Sequence, residues 1–314
     1  MKIITRQKGV ALITALMIVA IASIISAKIS TSIQLDIRRT GNIIANDQAK
    51  LYTLAAEELA KRYLLEDLKD NKIDDLNEAW AQPYIFPLED GTLTAMLTDL
   101  QACINLNSLV NNNTINVAAR KRFEQLLIRA DLSPQLSQAI IDWVDTDVQT
   151  TLPDGAEDNY YTGLDSPYRS ANTNIQSISE LKLIKGFEDP KTITAIENSI
   201  CAFGDINAAI PININTAPAE VLLSLSSGMD TSNAECIIEQ RADTPFTNVA
   251  NFMSFCSLTT ILPAIQTDQL SENTKYFMLE TNVKIGSVSV TMFSIITRAA
   301  IDNISVISRS QGVY

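Results

Sequence analysis

Uncharged residues run without interruption from Val10 to Ala27 (VALITALMIVAIASIISA), and the next charge is Lys28. These eighteen positions, mostly Ala, Ile, Leu, Met and Val, sit at the short end of a membrane-spanning helix, which needs about 20. Thr14, Ser23 and Ser26 do not spoil it, because their hydroxyls can bond back to the preceding turn. Lys2, Arg6 and Lys8 precede the run and favour residues 1–9 on the cytoplasmic side with the body sent across. The pattern continues past Lys28. Ile29, Ile33, Ile37, Ile44, Leu51 and Leu54 keep an apolar face at helical spacing, while Asp36, Arg38, Arg39, Asp47, Lys50, Glu57 and Lys61 fill the other sides. Gly41-Asn42 is the place where a bend is expected. A helix from Val10 to about Lys69 would be about 90 Å long. A secretory signal would end in small residues, and Ala22, Ser23 and Ala27 keep that reading open.

Beyond the helix, residues 70–115 begin polar and charged and meet a boundary near Pro83 and Pro87. GTLTAMLTDLQACINLNSLV reads as two short strands with a turn. INLNSLV and PININTAPAEVLLSL share a pattern, a short Ile-Asn strand entering a helix. In the second, Asn215 or Thr216 suits a cap and Pro218 the first helical turn. The buried Asn side chains at such junctions are expected to bond backbone. Residues 116–253 are expected to be mainly helical. Phe123, Leu126, Leu127 and Ala130 form one face, and Leu136, Ile140, Ile141 and Trp143 a second; short helices fit 177–187, 189–200, 219–225 and 233–241. In 254–314 the period changes to two: FMLETNVKIG, SVSVTMFSIITRA and DNISVISRSQG read as strands, with a hairpin at Gly286. Strands before Leu109 and after Phe277 are free to share one sheet across the helical stretch.

Composition narrows the chemistry. The formal charge is −12, from 24 basic and 36 acidic side chains, which disfavours nucleic-acid backbones and attracts cations. The chain has no histidine, so Ser-His-Asp and Cys-His catalysis and the commonest zinc ligand are excluded. Cys103, Cys201, Cys236 and Cys256 form no CxxC pair. For a body outside the cytoplasm disulfides are the leading reading, and three pairings exist. Closeness in sequence favours Cys236 with Cys256, and with it Cys103 with Cys201. Four buried thiols are the other reading.

The densest polar feature is DWVDTDVQTTLPDGAEDNYYTGLDSPYRSAN, with Asp142, Asp145, Asp147, Asp154, Glu157, Asp158 and Asp165. Its start resembles an EF-hand loop, but the sixth loop position is not Gly and the twelfth is Ala156. Hard oxygen donors converging in a loop still suit Ca2+. A solvated acidic loop braced by Arg169 is the plain alternative. Two carboxylates facing a sugar, with Trp143, Tyr160, Tyr161 and Tyr168 to stack on it, would make a glycosidase; the acids carry no spacing specific to catalysis, and the aromatics equally suit a local core.

RQKG followed by VALITALMIVA resembles the leader of pilins and pseudopilins, and Thr14 replaces the Glu usual at mature position five. That departure, with WxD, GAED-Y and PYR-AN in the acidic loop, resembles the minor pseudopilin K family of type II secretion systems. The matched loop residues are Trp143, Asp145, Gly155, Ala156, Glu157, Asp158, Tyr160, Pro167, Tyr168, Arg169, Ala171 and Asn172. The resemblance covers essentially the whole chain. It implies cleavage by the prepilin peptidase between Gly9 and Val10, N-methylation of the new amine, and retention of residues 10–27 as membrane anchor with 28–69 as its periplasmic extension. Loss of the leader would take the charge from −12 to −15. It implies an α+β fold: a long N-terminal transmembrane helix and a pilin-like α/β core, residues 70–115 and 254–314, with a large inserted helical domain, 116–253. It implies calcium, for which Asp145, Asp147, Glu157 and Asp158 are the candidate ligands. It implies a non-enzymatic subunit of the inner membrane, with cytoplasmic N-terminus and periplasmic body, that joins minor pseudopilins I and J at the pseudopilus tip, with the major pseudopilin and the inner-membrane assembly platform as further contacts. Thr14 cannot neutralise a neighbour's ammonium in hydrocarbon, which suits a first, topmost subunit.

Two other classes share features with this reading. A minor pilin of a type IV pilus or DNA-uptake system would have the same leader and helix. SELKLIKGF, and NTAPAEVLLSL with AECIIEQRADTPF, also resemble helix-hairpin-helix units, but Arg241, Lys182 and Lys185 are matched by Glu180, Glu188, Asp189, Glu220, Asp230, Glu235, Glu239 and Asp243, so nucleic acid is not expected as a partner. A secreted carbohydrate-active enzyme would use the loop carboxylates.

Overall fold

A computed structural model of the 314-residue chain describes residues 10–204, 210–262, 269–300 and 303–312. The expected leader and its cleavage residue Gly9 lie outside the described residues. Helix α1 spans Val10–Asp70 without a break, through Gly41 and Asn42. Its 61 residues reach about 90 Å. An apolar window of mean hydropathy 2.6 near its start is covered by none of the other described residues, and Leu12, Leu16, Ile18 and Ile24 are all more than 60% exposed. Only the C-terminal third of α1 meets the body: Ala49, Thr53, Ala56, Glu57, Ala60 and Leu64 are buried. Small residues on that face let the helix lie close to the sheet it covers.

The sheet has five antiparallel strands in sequence order: β1 (Tyr84–Leu88), β2 (Gly91–Asp99), β3 (Tyr276–Ile285), β4 (Val288–Ala300) and β5 (Asn303–Gln311). The β1–β2 hairpin precedes the helical part and zips onto β3, which follows it, with Leu97 opposite Leu279 and Gly91 opposite Ile285. The expected hairpin at Gly286 is present; its φ of +55° is a region that favours glycine. Alternation buries one face of the sheet under α1: Leu93, Leu97, Phe277, Leu279, Val283, Val290 and Ile296 pack with Ala49, Ala56, Ala60 and Leu64. Trp80 meets Phe277 edge-on at 5.1 Å. β1 escaped the sequence pattern because Pro87 argues against a strand; its place at the sheet edge makes the missing N–H tolerable.

Between β2 and β3 the regular structure is mainly helical: α2 (Val117–Arg129), α3 (Leu136–Val144), α4 (Asp158–Tyr161), α5 (Pro190–Thr194), α6 (Ala219–Ser224), α7 (Thr231–Asp243), α8 (Val249–Ser254) and α9 (Leu258–Ile261). Residues 178–183 form a 3-10 turn with a Ser177/Glu180 capping box. One apolar core serves all of this and takes in residues from Ile104 to Leu270. Both expected disulfides are formed, Cys103–Cys201 and Cys236–Cys256.

The two Ile-Asn strands fold alike. Ile104–Asn105 pairs in parallel with Ile200–Cys201, and Ile212–Asn213 with Leu270–Ser271. In each, the first Asn accepts from the backbone N–H two residues on, Asn107 or Asn215. The second Asn clamps a distant backbone from both sides of its amide: Asn107 on Ile175 (2.9 and 3.0 Å) and Asn215 on Phe246 (2.9 and 3.0 Å). The expected cap of α6 by Asn215 or Thr216 is not made. Pro218 occupies the N-cap position, and Thr216 Oγ1 donates instead to Asp99 Oδ2 at 2.5 Å. A fully buried carboxylate needs its donors, and Asp99 takes four, from Thr216, Thr274, Asn213 and the Gln101 N–H. Beside it Arg298 donates to Asp67 on α1, to Asp74 and to the Thr274 carbonyl. These two knots tie helical part, sheet and stem together.

Candidate metal-binding loop

Helix α3 is buried from Ser137 to Val144 and ends at Asp145, whose extended backbone (ψ 166°) turns the chain into the acidic loop. Asp142, the last acid on the helix, is fully buried. Its carboxylate accepts the Thr151 N–H at 2.9 Å, so the loop is folded back over its own helix. Gly155 N–H donates to the Thr151 carbonyl (2.8 Å) and Asp154 N–H to Gln138 Oε1 (2.7 Å). Lys185, on the turn after the 3-10 segment, donates to the Asp154 and Gly155 carbonyls and lies over the Tyr160 ring.

The aromatics hold this loop from below. Tyr161 is fully buried and Trp143 3% exposed. Tyr161 meets Trp143 edge-on at 5.3 Å and stacks on Tyr168 at 5.2 Å. Tyr161 Oη accepts the Lys185 N–H, and the Tyr168 hydroxyl donates to the Leu183 carbonyl. Trp143, Tyr161 and Tyr168 are thus the local core of the loop and not a sugar platform.

Three of the four sequence-predicted ligands converge. Carboxylate oxygens of Asp145, Asp147 and Glu157 lie within 4.8 Å of one another. Asp158 does not join them: its Oδ1 accepts the Ser170 N–H at 3.0 Å and its Oδ2 lies 3.8 Å from Arg169 Nε. Asp158 opens α4, which turns its side chain toward the segment that follows. Asp145 and Glu157 are buried, and Asp145 Oδ1 with both Glu157 oxygens has no hydrogen-bond partner among the described residues. The same holds for Asn172 Oδ1. Asn172 sits in a left-handed conformation (φ +45°) and its amide N–H2 donates to the Asp147 carbonyl (3.1 Å). Asn172 lies in the family pattern but not among the four sequence-predicted ligands.

Buried oxygens without donors are costly. Burial, then Asp147 and Asp142, push Asp145 up to about 7. Burial, then Asp142, Asp145, Asp147 and Asp158, push Glu157 up to about 7. A group of hard oxygens that repel one another and lack donors is what a divalent cation neutralises. The donor set therefore fits calcium: two buried carboxylates and a third at the rim, with the Asn172 amide held beside them on the Asp147 carbonyl.

At the other end of the molecule, Thr14 lies on the exposed apolar segment of α1 and its Oγ1 donates to the Ala11 carbonyl (3.0 Å). Arg241, the basic residue of the second hairpin unit, is turned inward onto the Ile214 carbonyl (3.0 Å), and burial lowers it to about 10. It presents no charge to a phosphate backbone.

Comparison with known proteins gives one consistent likeness. Two family models, both described as type II secretion system protein K, match residues 102–205 and 212–273. The type II secretion system protein K of Pseudomonas aeruginosa is 31% identical over 98% of this chain and 93% of its own length. That of Klebsiella pneumoniae is 30% identical over 98% of each. A solved structure of the GspK–GspI–GspJ complex from the enterotoxigenic Escherichia coli type 2 secretion system is similar with a TM-score of 0.77 at 26% identity, covering 88% of this chain and 100% of that one.

Proposed function

The chain belongs to the type II secretion system protein K family and is a minor pseudopilin, and we propose that it caps the pseudopilus tip in complex with the I and J minor pseudopilins, starting pseudopilus assembly for export across the outer membrane. The observation that carries the reading is the pairing of two ends: a membrane-length helix left bare by its own body and a bulky helical part at the opposite end. The bare helix supplies a surface for neighbours. The helical insert, residues 116–253 with the turns that follow, supplies a head over which no further subunit can pack. Thr14 in place of a carboxylate fits a subunit that adds beneath no other.

Calcium belongs to this reading as a brace for the head. Asp145, Asp147, Glu157 and Asn172 would hold it, and its charge would relieve their mutual repulsion. Asp142, Gly155 and Lys185 shape the loop around it, and Asp158 fixes the following segment through Ser170. The head then stays rigid without needing a donor for every buried oxygen.

Residues 1–9 act as a cytosolic leader cut by the prepilin peptidase between Gly9 and Val10, with the body periplasmic and the stem in the inner membrane. Intact mass and N-terminal sequence of membrane-expressed protein, with and without the peptidase, test this. A peptidase-dependent end at Val10 on membrane-retained protein is expected; a soluble product ending near Lys28 without the peptidase would overturn it.

A further inference from the structure

Residues 167–177 belong to no helix or strand, yet polar bonds hold them at both ends. The first half grips the acidic loop. Ser170 donates its N–H to Asp158 Oδ1 (3.0 Å) and its hydroxyl to the Asp142 carbonyl (3.1 Å), and Asn172 Nδ2 donates to the Asp147 carbonyl (3.1 Å). The second half grips the segment that runs to the sheet. Asn174 Nδ2 donates to the Gly204 carbonyl (2.8 Å), and the Ile175 backbone is clamped by Asn107. Residues 167–177 thus form a strap from the candidate metal loop to residues 201–204.

The far end of the strap is a junction. Asn105 holds Phe203 through its N–H (3.3 Å) and its carbonyl (2.9 Å), and Asn107 reaches the same carbonyl at 3.4 Å. Phe203 and Cys201 are buried with Met278 and Ile295, which point to the sheet face opposite α1 because Leu279 and Ile296 point toward it. The Phe203 ring lies 5.2 Å from that of Tyr276, and the Cys103–Cys201 disulfide crosses the same place. Residues 201–204 therefore seat the helical part on the sheet, and three Asn side chains, Asn105, Asn107 and Asn174, hold their backbone.

The near end of the strap is the place a cation would change. Without one, Asp145 Oδ1 and both Glu157 oxygens are buried with no donor among the described residues, a cost that opening the loop to water relieves. Opening carries away the Asp147 carbonyl from Asn172 and loosens the hold on Ser170. We propose that calcium in the acidic loop controls, through this strap, how firmly the helical part is seated on the sheet. The proposal rests on the calcium reading given above. It makes the head rigid on its sheet only in a compartment that supplies calcium.

Cys103–Cys201 reports the state of the junction. Reduction needs a thiolate to reach one of the sulfurs, and Cys201 is 3% exposed, so the rate follows local opening of residues 201–204. Cys236–Cys256 is a built-in control, because none of the strap's hydrogen bonds among the described residues goes to it. The full-length chain in membranes is treated with dithiothreitol in calcium or in EGTA, and each pair is followed by alkylation and mass mapping. Reduction of Cys103–Cys201 roughly tenfold faster in EGTA, with Cys236–Cys256 changed less than about twofold, is expected. Asn174→Ala, outside the acidic loop, should keep the rise in melting temperature on adding calcium yet lose most of the calcium dependence of reduction. Equal acceleration of both disulfides would overturn the strap, because it reports general loosening. So would unchanged rates while calcium still raises the melting temperature, or an Asn174→Ala chain that behaves like the unsubstituted one. Calcium that moves neither the melting temperature nor either rate would overturn the calcium reading as well.

Discussion

The Cβ that Gly155 lacks would fall 2.1 Å from Asp142 Oδ2, with the Thr151 carbonyl oxygen 2.5 Å away on its other side. The acidic loop can close on its helix only because this position has no side chain. Gly155→Ala must push the loop off Asp142. Overpacking of this kind costs about 1–3 kcal/mol, and it also displaces Ala156 and Glu157. We expect a lower melting temperature and a smaller gain on adding calcium; an unchanged calcium-induced shift would separate the loop's closure from metal binding.

Metal-free protein should lose stability as pH rises. Asp145 and Glu157 are raised to about 7 from ordinary values of 3.8 and 4.5. Their contribution is therefore fully present below pH 4 and lost as pH climbs through about 7. Asp67 and Asp74, pushed up to about 6 by burial, act in the same direction, so the diagnostic quantity is a difference. In chelator, the double variant Asp145→Asn, Glu157→Gln should show a shallower fall between pH 5 and 8 than the unsubstituted chain. Calcium should restore the unsubstituted protein at pH 8 and leave the variant unmoved.

Arg298→Leu should be severe. The guanidinium is buried and neutralises Asp67 and Asp74 together. Removing one partner of a buried ionic group costs about 3–5 kcal/mol, because the others are left uncompensated. Denaturant unfolding should show that loss, and protease should find new cuts near residues 67–75, where stem and sheet separate.

The two disulfides should differ. Cys103–Cys201 closes 98 residues and Cys236–Cys256 closes 20. Loop-closure entropy assigns them about 4.7 and about 3.3 kcal/mol. Paired Cys→Ser variants, melted in parallel, should rank in that order.

Thr14→Glu leaves the expected cleavage residues untouched, so processing should continue. A carboxylate at this position would let the subunit meet a neighbour's amine and take places below the tip. Secretion should fall severalfold while the N-terminus remains Val10. Unchanged secretion with unchanged tip-complex formation would contradict the role given to Thr14.

Much of this was legible in the sequence because period reports burial. The unbroken run from Val10, the alternation after Phe277 and the spacing of Phe123, Leu126 and Leu127 each require one kind of element. The Asn residues of the Ile-Asn strands also behaved as expected, clamping backbone. What stayed hidden depended on distant partners. Pro87 masked β1 because only the finished sheet makes that position an edge. Thr216 resembled a cap until Asp99, far away in sequence, claimed its hydroxyl. Asp158 is indistinguishable from Glu157 by spacing, yet one residue of helical rotation sends it to Ser170 while Glu157 turns inward. Asn172 reaches the Asp147 carbonyl from a separate segment, which no local pattern of acids could disclose.

In the proposed assembly this subunit stands once, at one end. An epitope placed in the exposed loop at Val148 (71% exposed) of otherwise full-length protein can be located on isolated pseudopili by gold-labelled antibody in the electron microscope. Label at a single end of each filament is expected. Label distributed along the filament length would contradict it.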